Sequence, residues 1–358
     1  MKKIKILFTV CVLFCVNNII SQTTTLKATF CGTTLAKLNT PLNCTSVAGA
    51  TKYGWEVTDM TTNSVFTYTV NSTSIAFCLT NIPQCTYGKT YGIRIMPYIG
   101  ASSTWGSYGS SCSVSSPTSI PYTSLTSSFC GTILPKLNTS LTCISVPGAT
   151  KYGWEVTDNV TNSVYTYTVP STSVSFNLTY IPQCTYGKTY NIRVMIYIGA
   201  TSTWESYGSS CVVNTPATIP TTAVDTLYTG GTTLDKLFSQ IYCSQVAGAT
   251  KYGWEVTDVA TNTTFTVINS QGIVQPYEII GSSFSLIYLD KEISDFPQTA
   301  YNKTYSIRIM PYIGATSTWG SYGPSCNIKT PTTVPPTSLS PNLCSKTLAK
   351  GNSPDCFP

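Results

Sequence analysis

One nine-residue string constrains this chain more than anything else in it. Thr51-Lys52-Tyr53-Gly54-Trp55-Glu56-Val57-Thr58-Asp59 recurs unchanged at 150–158 and at 250–258. A second string, Trp105-Gly106-Ser107-Tyr108-Gly109, recurs at 204–208, with Glu205 in place of glycine, and at 319–323. Trp55 and Trp105 stand 50 residues apart, as do Trp154 and Trp204, whereas Trp254 and Trp319 stand 65 apart. Repetition at a period near 100 residues predicts a tandem array of units, each long enough to bury its own core.

Punctuation agrees with the period. Proline pairs at Pro117 and Pro121, Pro216 and Pro220, and Pro331 with Pro335-Pro336 follow the three copies and read as short, semi-rigid linkers. The expected division is a leader over 1–21, copies over 22–117, 122–216 and 221–331, and a fourth beginning over 337–358. That last stretch restates Phe30-Cys31-Gly-Thr-Thr-Leu35-Ala36-Lys37 as Leu343-Cys344-Ser-Lys-Thr-Leu348-Ala349-Lys350 and reads as a truncated repeat. Copy three also carries 15 extra residues between Phe265 and Gln298. Loops on rigid scaffolds carry specificity, so Tyr277 within this insertion joins the candidate ligand contacts.

The leader has a secretory pattern. Lys2, Lys3 and Lys5 precede an apolar run, Ile6 to Val16, too short to span a bilayer. No later run reaches transmembrane length. Export from the cell or to its outer surface is therefore expected. Without the leader the net charge falls from +6 to +3, and charged residues make up only 9% of the chain. No basic patch suggests nucleic acid. There is no histidine, which removes histidine-based catalysis and the commonest metal ligand together.

Within a copy, the patterning is that of strands. Tyr53, Trp55 and Val57 alternate with Gly54, Glu56 and Thr58. Val65–Val70, Ile75–Leu79 and the alternating Tyr91–Met96 continue it, with Thr- and Ser-rich connections and no helical period. About seven short strands per copy predict an all-β, antiparallel sandwich. Alternation puts Glu56 and Arg94 on the solvent face of neighbouring strands, where they would pair for about 0.2–1 kcal/mol. Asp59 would cap the turn that follows it. Glu56 and Asp59 recur in every copy, but no cluster of acids accompanies them, so neither a catalytic pair nor a calcium site is expected. Trp55 and Trp105 read as core. Tyr98 and Tyr108 are open between core and a platform that could stack on a sugar.

Cysteines outside the leader number 13 of the 15. In an exported chain they predict disulfides. Copy two has Cys130, Cys143, Cys184 and Cys211 where copy one has Cys31, Cys44, Cys85 and Cys112; copy three keeps only Cys243 and Cys326. Joint loss of the first and third suggests that those two pair. The expected bonds are Cys31–Cys85, Cys44–Cys112, Cys130–Cys184, Cys143–Cys211 and Cys243–Cys326. Cys78, Cys344 and Cys356 are left without evident partners.

Gly49-Ala50-Thr51-Lys52-Tyr53 leading into a strand, Ile82-Pro83 ahead of Tyr91-Gly92-Ile93-Arg94-Ile95, and the Trp105-Gly-x-Tyr108-Gly turn together resemble a fibronectin type III module. The paired cysteines and both anchors resemble, more closely, the tandem modules of large secreted Bacteroidetes proteins of the adhesion and gliding type. That resemblance implies disulfide-stapled sandwiches with Tyr91 as a tyrosine-corner residue. It also implies type IX export and a non-catalytic role in adhesion or surface spacing. Neither cofactor nor metal is implied, and the partner would be an extracellular surface or glycan. A carbohydrate-binding array, or the spacer region of a secreted enzyme, are the alternative expectations. One departure is that Cys44 and Val47 lie where the module usually buries a tryptophan in its second strand.

Overall fold

The computed structural model describes residues 22–228, 230–237, 239–270, 283–285 and 300–333. The leader, most of the copy-three insertion with Tyr277, and the stretch carrying Cys344 and Cys356 lie outside the described residues. Packing divides the chain into two compact units. The first holds the described residues up to Thr132 with Ser140–Phe176 and Thr189–Val213; the second holds Ile133–Thr139, Asn177–Lys188 and the described residues from Asn214 onward.

Copy one shows how the fold follows from the sequence. Its strands are β1 (Leu42–Asn43), β2 (Ala50–Asp59), β3 (Val65–Val70), β4 (Ala76–Phe77), β5 (Thr90–Ile99), β6 (Thr104–Trp105) and β7 (Cys112–Ser115). All pairings among them are antiparallel. Five strands form one sheet in the order β3-β2-β5-β6 with β7 also on β5, and β1 pairs with β4 in a second, smaller sheet. The seven strands and their antiparallel arrangement are those the alternation predicts.

The same plan recurs over β8 (Leu141–Thr142), β9 (Ala149–Asp158), β10 (Val164–Val169), β11 (Ser175–Phe176), β12 (Thr189–Ile198), β13 (Thr203–Trp204) and β14 (Cys211–Asn214). It recurs again over β15 (Gln240–Tyr242), β16 (Ala249–Asp258), β17 (Thr264–Ser270), β18 (Ser283–Ser285), β19 (Thr304–Ile313), β20 (Thr318–Trp319) and β21 (Cys326–Lys329).

The core is the inward half of the alternation. Tyr53, Trp55 and Val57 of β2 and Ile93 and Ile95 of β5 are fully buried, and Trp55 stacks on Phe77 of the small sheet with ring centroids 4.9 Å apart. Trp154 and Phe176 repeat that stack at 4.9 Å. The indole Nε1 of Trp55 and of Trp154 has no acceptor among the described residues, so packing alone holds these rings between the sheets.

Two buried tyrosines tie loops to the core through their hydroxyls. The Val47 N–H donates to Tyr53 Oη at 3.0 Å, and Val146 and Val246 do the same to Tyr152 and Tyr252. Thr86 N–H donates to Tyr91 Oη at 2.8 Å, and Ala300 N–H to Tyr305 Oη at 3.0 Å. This is the corner geometry expected of Tyr91. Removing the acceptor strands a buried N–H. Tyr91→Phe is therefore expected to destabilise copy one by about 1–2 kcal/mol, read as a lowered denaturation midpoint at unchanged slope.

The described cysteines correct the expected pairing. The structure bonds Cys31 to Cys112 and Cys130 to Cys211. The cause is a strap that the alternation does not reveal. After Cys31 the chain runs parallel to β7, with Gly32 N–H donating to Ser113 O, Leu35 N–H to Ser115 O, and Ser115 N–H to Thr33 O, at 2.8 to 2.9 Å. That lays Cys31 beside Cys112, which opens the last strand opposite Ile93 instead of closing it. Cys44, Cys85, Cys143 and Cys243 are buried thiols; Cys78 and Cys326 are half-buried ones. Cys184 holds the position equivalent to Cys85 and is also buried. Burial pushes the Cys85 thiol up to about 12 and those of Cys143 and Cys243 up to about 11. Copy three keeps the strap, with Leu234 N–H donating to Lys329 O, but Gly230 replaces its cysteine and Cys326 Sγ lies 3.2 Å from Tyr228 O. Cys243 and Cys326 are thus retained separately, one as a core thiol and one as half of a lost bridge.

Candidate functional site: a repeated outer face

The outward half of the alternation is the candidate site. Register sets out its ranks on copy one. Lys52 lies opposite Tyr98, which lies opposite Trp105; next come Thr69, Gly54 and Met96; then Thr67, Glu56 and Arg94. Trp105 was expected in the core, and the structure corrects this: it is 41% exposed, and Trp204 and Trp319 are exposed like it. The reason is that β6 sits at the sheet's edge and directs its indole across the outer face, away from the small sheet.

Gly54 makes room for that ring. A Cβ at Gly54 would lie 3.0 Å from Met96 Cε and 3.2 Å from Trp105 Cζ3. Gly153 faces Met195 and Trp204, and Gly253 faces Met310 and Trp319, in the same way. The glycine within an otherwise ordinary strand is thus the seat of a tryptophan.

Around this seat the polar groups are already paired. Trp105 meets Tyr98 edge-on, with centroids 5.0 Å apart at 66°. The Lys52 ammonium stands over the Tyr98 ring at 5.2 Å. Arg94 pairs with Glu56 through two hydrogen bonds, Nε to Oε1 at 2.5 Å and Nη2 to Oε2 at 3.1 Å, as the strand alternation predicts. The same guanidinium covers the Tyr108 ring at 4.6 Å. The hydrogen bond and charge of Glu56 raise the Arg94 pKa, and partial burial raises that of Tyr108. Tyr98 and Tyr108 are therefore neither core nor free, but half-buried walls, each with a cation on its face.

The constellation recurs almost unchanged. Lys151 over Tyr197, Arg193 over Tyr207 and Tyr197 against Trp204 measure 4.8, 4.4 and 5.2 Å. Lys251 over Tyr312, Arg308 over Tyr322 and Tyr312 against Trp319 measure 5.3, 4.5 and 4.9 Å. Glu155–Arg193 and Glu255–Arg308 repeat the ion pair. Copy two adds Glu205, which accepts a hydrogen bond from Thr203 Oγ1 at 3.3 Å. Beside Glu255 and Arg308, copy three has an open depression of about 480 Å³, reaching Asn262 and Asn327.

Asp59 caps its turn as expected, accepting from Thr61 N–H at 2.8 Å and pairing with Lys89 at 3.3 Å. Burial alone would raise its pKa, but these hydrogen bonds outweigh it and hold the carboxyl below its usual value. The resulting stabilisation is present above the ordinary carboxylate pKa and is lost as pH falls through the lowered one. Among the described residues, no three His, Cys, Asp or Glu side chains converge as a metal site, and no helix is long and apolar enough to cross a membrane. The sequence reading did not include Lys52, Gly54 or Met96 in the site. Its signal was there: a glycine and a lysine held fixed in three copies on the solvent side of the alternation.

No protein-family model and no curated protein matches this chain. Solved structures do match at low identity. The FN1–FN3 domains of chicken CNTN1 are 10% identical and have a TM-score of 0.25, with 83% of this chain and 96% of that one covered. Chicken interferon gamma receptor alpha chain is 14% identical, with a TM-score of 0.24 and coverage of 54% and 96%. A two-domain fibronectin type-III segment of chicken tenascin is 10% identical, with a TM-score of 0.23 and coverage of 50% and 93%. At such scores the fold rests on the strand order itself: all-β antiparallel sandwiches repeated in tandem, two of them stapled by a disulfide.

Proposed function

We propose that this chain is a non-catalytic, extracellular tandem-repeat protein that adheres through its repeated outer faces. The observation that carries the proposal is the exposed tryptophan seated over a glycine in all three copies, flanked by a tyrosine and a lysine at matching distances. Exposing an indole three times costs apolar burial and is hard to account for as scaffolding alone. Cysteine usage, the leader pattern and the resemblance to exported Bacteroidetes adhesion modules support the compartment.

The arrangement favours a glycan as the ligand. A flat indole offers a stacking surface to the apolar face of a sugar ring, and the threonine, lysine and tyrosine edges beside it offer hydrogen bonds. Each face would bind weakly, and linking three on one chain converts weak contacts into avidity. The test is a broad glycan panel probed with the full chain and with Trp105→Ala/Trp204→Ala/Trp319→Ala. Binding by the wild type that the triple variant loses is the expected result. A folded wild-type protein that binds no glycan would remove sugars as the ligand class.

A further inference from the structure

Beyond the ranks that hold the tryptophan seat and the ion pair, the outer face changes from copy to copy. The next rank in copy one is Val65, Thr58, Gly92 and Ser113, set opposite one another in that order. Met60 covers it, with Sδ 3.0 Å from where a Gly92 Cβ would stand. Copy two has Val164, Thr157 and Asn191 in register, with Val212 in the place of Ser113. Val65, Val164 and Val212 are all exposed, so both copies carry apolar side chains in this rank.

Copy three breaks that pattern. Its rank is Thr264, Thr257, Ser306 and Asn327, polar throughout. Val259 replaces Met60 with a shorter side chain, and the rank lies open as the depression of about 480 Å³. Asn262 and Ser325 complete the lining. Thr257 and Thr264 share a hydrogen bond of 2.9 Å, whereas the side chains of Asn262, Ser306, Ser325 and Asn327 have no hydrogen-bond partner among the described residues. At the border, Arg308 donates from both Nε and Nη2 to Glu255 and lays its plane on Tyr322. The charged groups thus satisfy each other, and uncharged amides and hydroxyls line the opening.

We infer that copy three alone carries a second ligand subsite in this rank, and that it takes a neutral, hydroxyl-rich group: a further residue of an extended oligosaccharide whose other end stacks on Trp319. The inference rests on the glycan reading of the tryptophan seat. Amides and hydroxyls together both donate and accept, which matches the hydroxyls of a sugar. An anionic group would have to draw Arg308 away from Glu255, a charge-assisted pair that already satisfies it. Ser306 lies six residues before Tyr312 on β19, and Tyr312 faces Trp319, so about 20 Å of strand separates the two subsites. A short sugar reaches one of them; a longer chain reaches both. The copies share a stacking seat and differ in what lies beyond it, which makes copy three selective for ligand length.

The experiment measures binding of the full chain to immobilised neutral gluco-, manno- and galacto-oligosaccharides, from disaccharides to hexasaccharides, and to sialylated and sulfated counterparts. Trp105→Ala/Trp204→Ala leaves copy three with the intact seat and serves as the parent. Into it go Asn327→Val, the residue of copy two at that place, and Val259→Met, the residue of copy one, each already accommodated in a folded copy. The parent is expected to bind hexasaccharides about tenfold tighter than disaccharides, the worth of a few hydrogen bonds. Asn327→Val/Val259→Met should remove that advantage and leave disaccharide binding unchanged, which also shows that the variant is folded; acidic forms should gain nothing. Adding Trp319→Ala to the parent tests the seat itself and should abolish binding at every length. Equal hexasaccharide affinity with and without Asn327→Val/Val259→Met, while Trp319→Ala still abolishes binding, overturns the second subsite and leaves the seat standing. An equal loss at both lengths overturns it as well, and a preference for sialylated or sulfated forms overturns the neutral class. Binding that survives Trp319→Ala, or a wild type that binds no glycan, overturns the seat and the second subsite with it.

Discussion

Replacing Cys31 or Cys112 by serine is expected to lower the stability of copy one by about 3–4 kcal/mol, and Cys130→Ser or Cys211→Ser to do the same in copy two. Each bond spans a sequence separation of 81 residues. In the chain-entropy account, a loop of that size restricts the unfolded chain by about 4 kcal/mol. The bond also tethers the strap to the last strand, so its loss frees the segment carrying Leu35, which is buried. Copy three has the strap without the bond. Denaturation of the oxidised protein should therefore lose copy three first, and reducing agent should bring the other copies down toward it. Peptide mapping without reduction checks the connectivity directly. Fragments joined through Cys31–Cys112 and Cys130–Cys211 are expected, with Cys85, Cys143 and Cys243 unmodified by alkylating agents at pH 8 until denaturant is added, since their thiols are buried and protonated. A fragment joining Cys44 to Cys112 would refute the connectivity.

Gly109→Ala, Gly208→Ala and Gly323→Ala should each cost about 2–3 kcal/mol, at the high end of the usual overpacking range. These are the final glycines of the second repeated string. A Cβ at Gly109 would overlap the carbonyl oxygen of Thr24; at Gly208 it would overlap that of Thr123, and at Gly323 that of Thr222. The colliding partner is backbone in every case, so no side chain can swing away. Thr24, Thr123 and Thr222 are themselves buried, and each anchors the first segment of its copy by donating its hydroxyl to a backbone carbonyl, that of Thr45, Ile144 or Ser244. The substitution pushes that segment out and opens the core edge beneath it. Thermal melts and hydrogen exchange of the 24–26, 123–125 and 222–224 amides read the effect. By contrast, Gly106 is replaced naturally by Glu205 in copy two, whose N–H still donates to Ile196 O as Gly106 N–H does to Pro97 O. In copy one a Cβ at Gly106 would also overlap a backbone oxygen, that of Gln22, but Gln22 is exposed where Thr24 is buried, so Gly106→Glu is expected to cost less than Gly109→Ala.

The strands were legible because one face of each is wet. Alternation in 53–59 and 91–96 fixes which residues turn inward, and from it follow the buried Trp55, the Glu56–Arg94 pair and the Tyr91 corner. The strap was not legible. Residues 32–35 pair through their backbone with β7, and backbone hydrogen bonds leave no pattern in side chains. The disulfide error follows from it: comparing copies shows which cysteines are lost together, not which stand side by side. Trp105 was misplaced for a related reason. An aromatic residue on a two-residue edge strand has no alternation to assign its face, and the information sat on another strand, in Gly54. Contacts between copies were equally hidden: Tyr87 Oη donates to Pro147 O, 60 positions away and in the next repeat.

The measurement that tests the central claim most directly is binding to one fixed surface, biological or glycan-coated, with the number of intact outer faces as the variable. Trp105→Ala, then Trp105→Ala/Trp204→Ala, then all three changed, form the series, with circular dichroism checking that each folds. Three equivalent faces acting together predict that each removal lowers apparent affinity, by a multiplicative step on the order of tenfold or more at dense ligand, and that the triple variant does not bind. Equal binding by the wild type and the triple variant would contradict the account and leave the outer faces without a role in adhesion.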